Sequence, residues 1–576
     1  MASSGEKMLY LPLEIFDLII QHVTDKATLS RLSRTCKTFQ ALLFPRLYSR
    51  VSVDVAYHSD IAKFIRNIEP HLSIRQRKQL KKEGKYSGQQ DEYSSNLGLE
   101  EKPTCAEHVR QLSVSHLNPD RKNAQILYRY IEEALHNMRN VEVLEFDTIN
   151  EEIAEAISGL EKLQALSICP NYEAEVFSKA EYDSLKRIKN LKHLALGDGD
   201  QLCTLQTIIP NSASTLKSLD LNPSCPDFWK RLEQAFEAGG RHANRKHYLP
   251  ALRSFTLSGP WFPPAWITPE SIRSLDRVID FARLRELTID YFPDEVNLLY
   301  DHLANLYSAT DSKGIGSSLR KLTMDMSFLD HTDSFDEEEK IIDSQIRFLS
   351  SFSTLTSLHL KEFSRCSTEL TDTPSDLPDA MIQAILKHKN LDSLGICVGG
   401  IGSWGELPHL AAGAVANLVD GLPKLKLLEM TPDEDDTTAL GQALSRGTNL
   451  ESIVFSGTFI SQLLNHADSQ QKPDMSLLED LVKAYLSRGD TTKALKYKWE
   501  DHCKLKSVTI DEIEFQIASK FERGGRDVAT PKKVSLGSNT AREVLYRDGT
   551  NVEPPLPCQG FGGHNQWVDK VCENLG

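Results

Sequence analysis

A six-residue pattern, apolar-x-x-apolar-x-apolar, returns along most of this chain, and repetition of that kind restricts the fold more than any other feature. Clear copies are Val109-Arg-Gln-Leu112-Ser-Val114, Leu191-Lys-His-Leu194-Ala-Leu196, Leu216-Lys-Ser-Leu219-Asp-Leu221 and Leu284-Arg-Glu-Leu287-Thr-Ile289. With the middle apolar residue as marker there are thirteen copies from Leu112 to Val508, mostly 22 to 36 residues apart, with one gap of 55. The last two apolar positions alternate with polar ones, which is the period of a half-buried strand. Between copies lie segments of helical spacing, such as 124–138, 379–389 and 411–422. One short strand and one helix cannot bury their apolar side unaided, so successive units must stack. The expected fold class is therefore α/β, a curved solenoid with parallel strands inside and helices outside.

This pattern resembles the leucine-rich repeat family, over roughly residues 108–515. The family often carries Asn or Cys three residues after the last strand leucine. Here Asn171 fits, while other units carry residues such as Leu117, Ile149, Phe292, Phe363 and Ile513, so the repeats are irregular. Thirteen strands at roughly 4.8 Å spacing line an arc on the order of 60 Å, a surface sized for a macromolecule. Positions flanking the strand leucines include Glu145, Asp147, Asp220, Glu286, Asp290, Asp325, Glu429 and Asp511, against Lys321 and Lys361. That bias predicts a weakly acidic, wet inner face suited to a protein target with exposed basic residues. A second candidate for target binding is the proline-rich loop 260–269 with Trp261, Phe262 and Trp266, joined by Trp404 in a later strand-exit loop.

Residues 9–48 carry a different pattern. Pro12 suits a first helical turn, and Ile15, Ile19 and Val23, with Leu18 beside them, make an apolar stripe at helical spacing. Leu29, Leu32, Cys36, Phe39 and Leu42 continue it after a polar break, and Pro45 ends the last helix. Forty residues in two or three short helices bury little surface, so a stripe this apolar is expected to complete its core against a partner.

The order Leu11-Pro12-x-Glu14-Ile15, Ile19, Leu29, Leu32, Cys36-Lys37-x-Phe39, Leu42, Pro45-x-Leu47-Tyr48 resembles an F-box. That resemblance implies docking on a Skp-type adaptor and, through it, a cullin–RING ubiquitin ligase. Carried over by position, Leu11, Pro12, Ile15, Ile19, Leu29 and Leu32 are the implied adaptor contacts. The implied role is the substrate-recognition subunit of an SCF-type ligase, with the repeats holding the target; the alternative is a non-degradative interaction scaffold. The expected organisation is a head at 9–50, a connecting helix or flexible linker at 51–107, irregular repeats at 108–515, and a C-terminal cap with a poorly ordered tail at 516–576.

The remaining features exclude more than they suggest. A net charge of −15 argues against nucleic acid as the main partner. No run of about 18 apolar residues is present, so no spanning helix and no membrane partner are expected. Glu14 and Asp17 interrupt the most apolar amino-terminal stretch, which disqualifies it as a secretory signal. Ten dispersed cysteines make neither a disulfide scaffold nor a Cys-x-x-Cys pair, so the expected setting is reducing and intracellular, cytoplasmic or nuclear. Cys105, Cys169, Cys203, Cys225, Cys366 and Cys397 are too scattered to suggest a zinc set, and no metal or cofactor is expected. Gly400-x-Gly402-x-x-Gly405 follows a strand, but Pro408 falls where a phosphate-binding helix would run. No catalytic motif is present, and a non-catalytic receptor is expected.

Overall fold

The structure, a computed structural model, describes residues 13–21, 23, 25–54, 105–115, 121–146, 149–168, 183–197, 206–223, 227–238, 246–258, 267–290, 295–312, 317–325, 335–361, 377–397, 410–432, 437–455, 481, 484, 504–510, 513–518, 532–535, 543–551 and 571. They divide between two compact units, residues 1–216 with 563–576, and residues 217–562.

The first unit opens with three helices, α1 (Leu13–Gln21), α2 (Lys26–Ser33) and α3 (Lys37–Leu47). Asp25 starts α2 by accepting hydrogen bonds from the Ala27 and Thr28 amides, and those bonds, led by the Thr28 hydroxyl, hold its carboxyl below the usual range. Five strands follow: β1 (Arg50–Asp54), β2 (Gln111–Ser115), β3 (Val143–Phe146), β4 (Ala165–Ile168) and β5 (His193–Leu196). Each is parallel to the next, with Leu112, Leu144, Leu166 and Leu194 in one row. Helices α4 (Arg121–Asn137) and α5 (Glu151–Ser158) lie between strands in the chain. β1 was not foreseen. It pairs in parallel with β2, Val51 opposite Leu112 and Val53 opposite Val114, inside the stretch expected to be a linker. Only Tyr48 and Ser49 separate it from α3, so the head runs straight into the sheet.

The second unit continues the scheme with nine parallel strands, β6 (Ser218–Leu221), β7 (Ser254–Ser258), β8 (Glu286–Asp290), β9 (Lys321–Asp325), β10 (Ser357–Lys361), β11 (Ser393–Ile396), β12 (Leu427–Met430), β13 (Ser452–Phe455) and β14 (Ser507–Ile510). The helices expected at 379–389 and 411–422 are observed as Asp379–Leu386 and Ala412–Gly421. Three antiparallel strands end the sheet: β15 (Ile513–Ala518) on β14, β17 (Glu543–Asn551) on β15, and β16 (Lys532–Ser535) on β17. Part of the stretch expected to be a poorly ordered tail is therefore strand.

Register is carried by the backbone just before each strand. In the second unit the Arg253, Arg285, Arg320, Thr356, Asp392 and Lys426 amides each donate to the carbonyl of the equivalent residue one repeat earlier, at 2.7–2.8 Å. The pattern residues fill the core: Leu287, Leu322, Leu358, Leu394 and Leu428 are at most 2% exposed. Asparagines just before the strands act between repeats: Lys162 donates to Asn140 and Lys424 to Asn390, at 2.6 and 2.7 Å; Asn171 lies outside the described residues.

Candidate functional site

Two places stand out from this framework. The first is the surface of α1. Phe16 and Ile20 turn inward, with Ile20 joining Leu29 and Leu43 in a small core against which Val23, Leu32, Phe39, Leu42 and Leu47 pack. The stripe beside them stays bare: Ile15, Leu18 and Ile19 are 40%, 53% and 42% exposed. Three large aliphatic side chains on one short helix are costly to leave in water, since each is worth about 1.5–3 kcal/mol when buried. Of the six expected adaptor contacts, Ile15 and Ile19 are thus at the surface. Leu29, 5% exposed, belongs to the core of the head because its side chain fills the space between α1 and α3, and Leu32 is half-buried against that core. Leu11 and Pro12 lie outside the described residues.

The expected wet, acidic face is corrected at several positions. Glu145 is 2% exposed and accepts from the Ser113 hydroxyl at 2.7 Å, one strand away. Glu286 accepts from Ser254 at 3.1 Å and pairs with Lys321 at 3.1 Å, and Asp290 pairs with Lys361 at 3.5 Å. Glu429 is fully buried. The face is less wet and less acidic than expected because Glu145, Glu286 and Asp290 are taken up by hydroxyls and lysines of neighbouring strands. Asp220 is half-buried on β6, and Asp325 sits opposite Lys361 in the register of β9 and β10. Asp147, Trp261, Phe262, Trp266 and Trp404 lie outside the described residues.

The second place is built by this same face. His359 stands at the middle of β10, opposite Gly395 on β11, which is opposite Glu429 on β12. A side chain crossing a whole strand needs an empty position beneath it, and Gly395 supplies one. A Cβ there would stand 2.4 Å from His359 Cδ2 and 2.8 Å from Nε2, inside any allowed contact. The imidazole therefore lies over β11 and brings Nε2 to 3.4 Å from Cys397 Sγ and 3.8 Å from Glu429 Oε2. Cys397 is the residue just past β11, held by its amide donating to the Leu360 carbonyl at 2.9 Å. Burial, with the Lys361 charge behind it, lowers the His359 pKa to about 3, so the ring is neutral at physiological pH and no ion pair with Glu429 exists there. Among the described residues this is the one group of three His, Cys, Asp or Glu side chains whose ligand atoms all lie within 4.8 Å of one another.

Cys397 was expected to be one of several scattered cysteines and Glu429 an acid of the wet inner face, while nothing in the sequence singled out His359. The signal was present in the repeat alignment: His359, Gly395 and Glu429 each follow the marker leucine of successive units.

Among the described residues no helix is long and apolar enough to cross a membrane. Comparison with known proteins returned no match: no family model fits the chain, and no curated protein is significantly similar to it.

Proposed function

We propose that the chain is the substrate-recognition subunit of an SCF-type ubiquitin ligase. In this reading the head docks on a Skp-type adaptor and the stacked repeats hold the protein to be ubiquitinated. The observation that carries it is the bare Ile15, Leu18 and Ile19 surface on α1, within a segment whose residue order resembles an F-box. The head already owns a core of Ile20, Leu29 and Leu43, so these three side chains are not needed for its own packing. Docking them in an apolar cleft would remove the cost of their exposure. The chain contributes position rather than chemistry. A receptor acts by bringing a target lysine near a charged conjugating enzyme, which raises its effective concentration.

Co-expression of the full chain with a Skp-type adaptor tests this reading. Wild type is expected to retain the adaptor on purification, and the Ile15→Asp/Ile19→Asp double variant to lose it while keeping its circular dichroism spectrum. Wild-type chain that emerges without adaptor would overturn the proposal.

A further inference from the structure

We propose that His359, Cys397 and Glu429 form a binding site for a divalent cation of the zinc class, joining strands β10, β11 and β12. Nothing in this inference depends on the adaptor reading.

The geometry of the three ligand atoms is the first argument. Four ligands placed about 2.0–2.3 Å from a tetrahedral zinc ion stand roughly 3.3–3.8 Å from one another. Here Nε2 is 3.4 Å from Sγ and 3.8 Å from Oε2, and all three ligand atoms fall within 4.8 Å. A small inward movement of Glu429 completes one face of the tetrahedron, and water can take the fourth position.

A Cys–His–Glu nucleophilic relay is the rival, and the same distances argue against it. A relay needs the thiol on one ring nitrogen and the carboxylate on the other. In this protein both converge on Nε2. Convergence on one point is what a shared cation requires.

Charge and donor type agree. A thiolate and a carboxylate carry two negative charges, and a neutral imidazole adds none, so one divalent ion makes the cluster neutral where His359 and Glu429 are 4% and 0% exposed. One sulfur, one nitrogen and one oxygen suit a borderline-soft ion, and do not suit magnesium or calcium. On binding, the Cys397 S–H bond breaks, a sulfur–zinc bond forms and the proton passes to water. Cys397 is half-buried, which leaves the ion a route in. Gly395 is part of the site, because any side chain there would displace the ring.

The test uses the full chain, stripped with a chelator under reducing conditions and titrated with Co²⁺ as a spectroscopic substitute. One equivalent is expected to give a thiolate-to-cobalt charge-transfer band with the strong visible bands of a four-coordinate ion. Zn²⁺ is expected to displace it and to raise the Tm. Cys397→Ser should lose the band and the Zn²⁺-dependent rise in Tm. Glu429→Gln should keep the band but bind Zn²⁺ at least about 10-fold more weakly. Absence of the band in saturated wild type overturns the proposal, as does an undiminished band in a folded Cys397→Ser variant, which would place the thiolate elsewhere among the ten cysteines. Should Cys397→Ser not fold, Glu429→Gln decides, and unchanged Zn²⁺ affinity there overturns the proposal.

Discussion

His388 shows how a single side chain ties repeats together. It is completely buried; Nδ1 accepts from the Leu355 amide at 3.4 Å, so Nε2 carries the proton and donates to the Leu349 carbonyl at 3.2 Å. Its ring meets the Phe352 ring edge-on at 5.1 Å. Burial lowers its pKa to about 4, with the Lys387 charge adding to the effect and the Leu349 hydrogen bond opposing it. The unfolded chain binds this proton below about pH 6.5 and the folded one not until about pH 4. The stabilisation is therefore complete above pH 6.5 and falls as the pH drops to 4, by on the order of 3 kcal/mol in all. Urea unfolding of wild type and His388→Gln at pH 7 and pH 5 checks this: the gap between them should narrow at pH 5. An unchanged gap would mean that the ring is not held neutral. Neither hydrogen bond of His388 was legible beforehand, because both partners come from the preceding repeat.

At the scale of elements, the antiparallel end of the sheet covers the edge of the last parallel strand. β14 would present an unpaired edge without β15, and β15 is covered in turn by β17. Open edges of parallel sheets pair with other chains. Ending the chain before Ile513 is expected to produce concentration-dependent self-association on size-exclusion chromatography, while the full chain at equal concentration stays unassociated. No repeat signature marks this end, because β15, β16 and β17 depart from the leucine pattern. β1 escaped notice for a similar reason: Val51-Ser-Val53 is only a fragment of the pattern, and its place comes from pairing with β2. The head's helices were legible from spacing. The face each one buries was not, since Phe16 and Ile20 compete with Ile15 and Ile19 for the inside and only the packing of α3 decides between them.

At the scale of the whole molecule, each repeat touches mainly its neighbours, so stability is closer to a sum of repeat and interface contributions than to one all-or-none quantity. Calorimetry is expected to give an unfolding enthalpy larger than the van't Hoff value, with Ile153→Ala and Trp229→Ala, both fully buried but in different compact units, each shifting a different part of the profile. A single transition displaced alike by both would refute this. The α/β class and the parallel repeats follow from the spacing of leucines, because strand and helix periods are local properties of the chain. Pairing across strands decided the rest. It buried Glu145 and Glu429 in a face expected to be wet, and it brought His359 across Gly395 to Cys397, since residues a full repeat apart meet only when register stacks them.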